Sequence, residues 1–167
     1  EIREMGSGWP ILVLGPLLQE EDDALIDLDL IPSLSSAEEV DRFQALSQRK
    51  QAEIKIHLKV DTGMGRMGVW WERVPELLDR INQCPELKLR GILTHFAEPA
   101  NEDFSRLQRE RFEKIILENL PHPFPSDFII HADNSSSLKV LEKDSVFNAV
   151  RIGLLQFGVT PPIESAL

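Results

Sequence analysis

The chain has 167 residues, 42% of them hydrophobic and 28% charged, which is enough apolar material for one sizeable core, so disorder is not the default reading. Its 28 acidic against 18 basic side chains leave a net charge of -10, a surface that repels phosphate backbones and anionic membranes, so neither nucleic acid nor membrane is an expected partner. A single cysteine, Cys84, excludes an internal disulfide framework and suits a cytoplasmic protein, and no apolar run approaches the roughly 20 residues that cross a bilayer.

In chain order, residues 1–8 read like the end of a helix, with no basic-then-apolar leader. Short apolar or alternating runs then take turns with longer amphipathic stretches, the pattern of parallel strands joined by crossover helices. Strands are predicted at 11–15, 30–34, 54–60, 89–96, 127–132 and 149–158, and helices at 18–26, 37–48, 72–83, 102–117 and 135–141. The second helix is well signalled, because Ser35 and Ser36 can accept from free amides of its first turn while Glu38 and Glu39 suit the positive end of its dipole. Pro121, Pro123 and Pro125 mark one loop and Pro161 with Pro162 another. The expected fold class is α/β: a single partial (β/α)8 barrel over residues 1–167, since a complete one needs about 250 residues.

The run 54–61 puts Ile54, Ile56, Leu58 and Val60 on one face and Lys55, His57, Lys59 and Asp61 on the other. Two readings stand. A sheet with one solvated face accommodates the second set, whereas a barrel turns it inward, where charge gathers only at a site. Residues 61–68, Asp-Thr-Gly-Met-Gly-Arg-Met-Gly, follow directly; their three glycines permit positive φ and close backbone approach, and Arg66 offers a fixed, permanently charged donor fork. Thr94-His95-Phe96 ends the fourth strand, and residues 130–137 end the fifth and open a helix. The polar run from Asn134 to Ser137 suits either an anion at the helix N-terminus or plain N-capping. Arg151, inside an apolar run, needs a buried acceptor, and Gly153 allows close approach. Barrels often bind phosphate with the loops after strands seven and eight, so the six runs are expected to be strands three to eight.

Taken in order and spacing, residues 59–68, 91–97, 131–135, 150–153 and 157–159 resemble bacterial alanine racemase, a fold-type III pyridoxal-phosphate enzyme family, and residues 10–15 resemble its third strand. The resemblance runs along nearly the whole chain. It implies a barrel holding pyridoxal 5′-phosphate at its mouth, joined to a C-terminal β-domain. Such enzymes are homodimers that interconvert L- and D-alanine for peptidoglycan synthesis by two-base exchange of the α-proton. Carried over by motif position, Lys59 matches a lysine commonly carbamylated in the family; its carbamate would pair with Arg66 and steer it towards the cofactor's phenolic oxygen. His95 would lie beside the cofactor. Ser135, Gly153 and Leu154 would bind the phosphate, with Asn134 holding the loop. Arg151 would donate to the pyridine nitrogen, with His131 behind it. No metal is implied.

The chain also departs from the family. The segment with the Schiff-base lysine is nowhere in it, and it contains no tyrosine, so neither catalytic base is present. Phe157, preceded by Gln156, stands where a tyrosine is usual in the last strand, and Asp133 where a small apolar residue is common. The expectation is a middle piece of a racemase barrel, inactive alone, with strands one and two and the β-domain outside these residues. Two alternatives are a metal-dependent barrel hydrolase using His57, Lys59, Asp61, His95, His131 and Asp133, and a non-catalytic pyridoxal-phosphate-binding domain. Against the hydrolase, no His-x-His or His-x-x-x-His pair occurs, and Arg66 and Arg151 would crowd a cation.

Overall fold

The computed structural model describes residues 1–6, 8–98, 100–134 and 146–159, with the side chains of residues 133 and 134 left out. In chain order the described elements are α1 (Ile2–Met5), β1 (Ile11–Val13), α2 (Asp22–Asp27), β2 (Leu30–Leu34), α3 (Ala37–Lys50), β3 (Ile54–Asp61), β4 (Val69–Trp70), α4 (Val74–Asn82), β5 (Leu87–Leu93), α5 (Glu102–Asn119), β6 (Ile129–Asn134) and β7 (Ala149–Arg151). Neighbours in the sheet follow the order β1-β2-β3-β5-β6-β7, every pair parallel, with β4 paired to the end of β3. Each main strand therefore lies beside the next one in the chain. That is the winding of a (β/α)8 barrel, whereas doubly wound sheets reverse direction at a switch point. The sheet curls into a partial barrel, as the alternation of runs predicted.

Burial follows the two-face pattern read from residues 54–61. Ile54, Ile56, Leu58 and Val60 join the core between sheet and helices, together with Val40 and Phe43 of α3, Leu77 and Ile81 of α4, and Phe112 and Ile116 of α5. On the opposite face His57 and Lys59 are also buried, and only Lys55, near the start of the strand, faces solvent. The inward reading of that face therefore holds and the solvated one falls. Local signals set α3 as expected: the Ser36 hydroxyl accepts from Glu39 N–H at 3.2 Å, and the Glu39 carboxylate accepts from Ser35 N–H at 2.6 Å. Among the described residues, no helix is long and apolar enough to cross a membrane.

Several predicted boundaries move: β1 ends at Val13 and not at 15, β6 runs Ile129–Asn134 and not 127–132, and three further shifts have a visible cause. The strand predicted at 89–96 stops at Leu93, because the Thr94 and His95 carbonyls and the Ala97 N–H bond to side chains of Arg151 and Gln108. The run 149–158 is a strand only to Arg151; Gln156 N–H donates to the Gly153 carbonyl at 3.2 Å and the chain turns through a short 3-10 segment, Leu154–Phe157. Phe157 is consequently not a strand residue and is exposed. The stretch 18–26 begins as a 3-10 turn, Gln19–Glu21, before α2. The short strand β4 was not predicted, and the helix expected at 135–141 lies outside the described residues.

Candidate active site

A cavity of about 670 Å³ opens at the C-terminal ends of the parallel strands. Its wall takes Leu14 and Gly15 from the end of β1, Lys59 from β3 and Arg66 from the loop after it. Thr94 and His95 come from the end of β5, and Arg151, Gly153 and Leu154 from the end of β7. The cavity brings together six of the predicted positions: Lys59, Arg66, His95, Arg151, Gly153 and Leu154. Asn134 ends β6 and pairs in register with Arg151, while Ser135 lies outside the described residues. Three cationic side chains face this space, and no acidic residue is among the described residues that line it. On a chain with a net charge of -10, that is a local reversal of sign.

The loop from Asp61 to Gly68 sets Arg66 in place. Asp61 turns the chain by accepting from the amides of Gly63 at 2.9 Å and Gly65 at 2.9 Å. Gly68 sits at φ +118, so tightly against β3 that an added Cβ would stand 2.6 Å from the Asp61 nitrogen. Only glycine closes the loop this way, and the return lets Val69 and Trp70 pair with β3. Lys59 is nearly enclosed; its ammonium donates to the Leu14 carbonyl at 3.0 Å. Burial, then the charges of Arg66 and Arg151, push its pKa below the usual lysine value.

Arg151 organises the opposite wall. Its Nη2 donates to the carbonyls of Thr94 at 2.6 Å and Ala132 at 2.9 Å, and Nη1 donates to the His131 carbonyl and to His131 Nδ1, both at 2.9 Å. These are the buried acceptors that its position in an apolar run required. A guanidinium only donates, so His131 Nδ1 accepts and the His131 proton sits on Nε2. That nitrogen faces His57 Nδ1 at 3.1 Å, which must then accept, leaving the His57 proton on its own Nε2. Burial first, then Arg151 and His57, push His131 down to about 3; burial alone takes His57 to about 4. His95, 3.4 Å from Arg151 through its Nδ1, is held at about 4 by burial and by the charges of Arg151, Arg66 and Lys59. All three rings are neutral at physiological pH. The His57 ring lies across Gly91, where an added Cβ would stand 2.5 Å from His57 Cε1.

The proposed metal ligands are differently engaged. Asp61 spends its carboxylate on loop amides and His57 and His131 bond each other, and among the described residues no group of three metal-ligating side chains converges. The sequence reading also missed Gln108, Arg111 and the Thr62–Thr94 hydroxyl pair, which hold the cavity's loops from behind. Gln108 left a signal, as the one polar residue in the helical stripe of Phe104, Gln108, Phe112 and Ile115.

Comparison with known proteins places these features in a family. The family described as alanine racemase, N-terminal domain, matches residues 1–161. An alanine racemase of Prochlorococcus marinus is 36% identical over 168 residues, covering 96% of this chain and 43% of that enzyme. Among solved structures, alanine racemase of Bacillus anthracis with bound L-Ala-P is 29% identical with a TM-score of 0.80, over 98% of this chain and 42% of that one. Alanine racemase of Clostridium difficile 630 shares the fold with a TM-score of 0.83 at 23% identity, over 96% and 44% of the two chains. The chain thus spans less than half the length of the relatives it matches.

Proposed function

The chain belongs to the alanine racemase N-terminal domain family, and from that premise we propose that it is a section, strands three to eight, of the barrel domain of a pyridoxal-phosphate-dependent alanine racemase. In this reading strands one and two and a C-terminal β-domain lie outside the 167 residues, and the whole enzyme is a cytoplasmic homodimer that interconverts L- and D-alanine for peptidoglycan synthesis. The observation that carries it is the cationic cavity at the strand ends, where Arg66 and Arg151 line a space of about 670 Å³ whose described lining residues include no acid. Its size and sign fit an anionic aromatic group bearing a phosphate.

When bound, pyridoxal 5′-phosphate supplies the electron sink that lets the α-proton of the amino acid leave. The residues of this chain bind and orient it. Arg151 would donate to the ring nitrogen and, because a guanidinium does not give up its proton, would keep that nitrogen unprotonated. His131 and His57 lock the plane of Arg151 from behind, each with a fixed proton. Burial, with Arg66 and Arg151 nearby, lowers the Lys59 pKa and so makes its deprotonated amine easier to reach; that amine would add carbon dioxide and release a proton to solvent, and the resulting carbamate would hold Arg66 towards the phenolic oxygen. His95 would stand at the cofactor's side, and Ser135, Gly153 and Leu154 would hold the phosphate, with Asn134 supporting their loop. Both bases lie outside these residues, so the 167-residue chain alone does not racemise alanine. The test is spectroscopic: the parent protein with its flanking segments, incubated with pyridoxal phosphate, is expected to show a visible absorbance band that borohydride bleaches. No band, with stoichiometric zinc in its place, would overturn the reading in favour of a hydrolase.

A further inference from the structure

Phe112, Ile115 and Ile116 fill the buried stripe of α5 with hydrocarbon, yet Gln108 in the same stripe, 0% exposed, brings a carboxamide. An amide stripped of water must recover its hydrogen bonds from protein, and an apolar side chain would fill the same volume without that requirement. The partners explain the choice. Gln108 Oε1 accepts from Ala97 N–H at 2.9 Å; Nε2 donates to the His95 carbonyl at 3.2 Å and to the Thr62 hydroxyl at 3.2 Å. A backbone N–H only donates and a carbonyl only accepts, so the amide has one orientation. The hydroxyls follow in order: Thr94 Oγ1 donates to the Val60 carbonyl at 2.9 Å, hence accepts from Thr62 Oγ1 at 2.8 Å, which accepts from Gln108. Three residues on, Arg111 donates to the Thr62 carbonyl at 2.8 Å.

One buried side chain therefore ties the backbone on both sides of Phe96, the turn that delivers His95, to the residue that starts the Arg66 loop. We propose that Gln108 is a positioning residue: it fixes His95 at the cavity wall and couples that wall to the Asp61–Gly68 loop, so that His95 and Arg66 approach a bound group as one unit. Its effect on turnover rests on the racemase reading; its effect on His95 does not.

The test uses the full-length protein and Gln108→Met, which keeps the side chain's length and removes its donors and acceptor. Titration of the imidazoles by NMR reports on place, since His95 is held at about 4 by burial and by Arg151, Arg66 and Lys59 facing it. In the variant, His95 is expected to titrate closer to the ordinary value of about 6.5, while His57 and His131 stay low. Activity should show kcat lowered roughly tenfold with KM changed less than about twofold, the mark of a displaced group in the reacting complex. A variant that melts earlier but leaves His95 and kcat unmoved makes Gln108 a core filler and overturns the proposal. An inactive parent whose His95 still shifts in the variant upholds the positioning and sinks the racemase reading instead. Should the variant not fold, hydrogen exchange in the unmodified protein decides: the Gln108 side-chain amide and Ala97 N–H should exchange on the order of tenfold more slowly than the Glu98 amide, and equal rates overturn it.

Discussion

The middle of the sheet and its two edges are built differently. β3 and β5 run together from Ile54 opposite Leu87 to Lys59 opposite Leu93, beneath three helices whose inward side chains are closed to solvent. β1 and β7 have three residues each, and exposed apolar side chains flank both: Trp9 and Leu18 at one, Ile152, Leu154 and Phe157 at the other. The cavity draws on both kinds of region. Lys59 and His95 come from the middle, while Leu14 and Arg151 reach in from the edges. A three-residue edge strand does little by itself to fix a cation, and Arg151 is gripped by carbonyls of neighbouring strands and their ends. The middle thus supplies the frame in which charge can be held away from water, and at the β7 edge the Arg151 side chain adds its own bonds to a short ladder.

The largest expected effect separates the regions directly. Phe112, wholly buried under the middle strands, should cost about 3–5 kcal/mol when changed to Ala. Phe157→Ala at the edge, where the ring is 77% exposed, should stay within about 0.5 kcal/mol. Urea unfolding of the two variants measures both, and similar losses would erase the distinction.

A second effect tests the side-chain link between middle and edge. His57, His95 and His131 are held at about 4, 4 and 3, below the ordinary histidine value of about 6.5. An unfolded chain binds protons on these rings as pH falls through 6.5, and the native chain does not. The stability they confer is complete above pH 6.5 and is lost as pH falls towards their native values, by an amount on the order of a few kcal/mol. Exposed carboxylates with lowered pKa, such as Asp41 and Glu86, act only below their ordinary values and so add nothing to the histidine effect between about pH 6.5 and 5. Stability that is flat across that interval would mean that the rings are not buried as neutral groups.

The same division governs what the sequence made legible. Strand 54–61 could be read because its alternation is long and its two faces differ chemically, and the Ser36 start of α3 because capping is local. The glycines at 63, 65 and 68 announced positive φ, which all three have. What could not be read lies where tertiary bonds replace ladder bonds. The strand ending in Leu93 runs on into Thr94, His95 and Phe96 without a proline, a glycine or a turn signal, and nothing local says that Gln108 and Arg151 take the carbonyls there. The run 149–158 is largely apolar on both sides of Gly153, yet the chain turns there. His57 was visible as an inward polar group, but its bond to His131 depends on a register shift after Ile56 that sets Gly91 opposite His57.

Two glycines give the finest comparison. At Gly91, in the middle, an added Cβ would lie 2.5 Å from His57 Cε1 and 2.6 Å from the Ile129 carbonyl oxygen. Neither can yield cheaply, since the ring is pinned by His131 and the carbonyl belongs to the neighbouring strand, so Gly91→Ala should cost about 1–3 kcal/mol and loosen the His57–His131 bond. At Gly153, on the edge, φ is -116 and an added Cβ would meet nothing within 4 Å, so Gly153→Ala should change stability by less than about 0.5 kcal/mol. The open space beside Gly153 is the cavity itself. In the full-length protein its methyl should therefore weaken pyridoxal phosphate binding by about tenfold, or about 1.4 kcal/mol, without shifting the melting temperature of the cofactor-free form. Calorimetry of the cofactor-free form and a binding titration check the two halves separately. A Gly153→Ala protein that binds normally would mean that backbone approach at this edge is not what the cavity requires, and that the phosphate is held elsewhere on the strand ends.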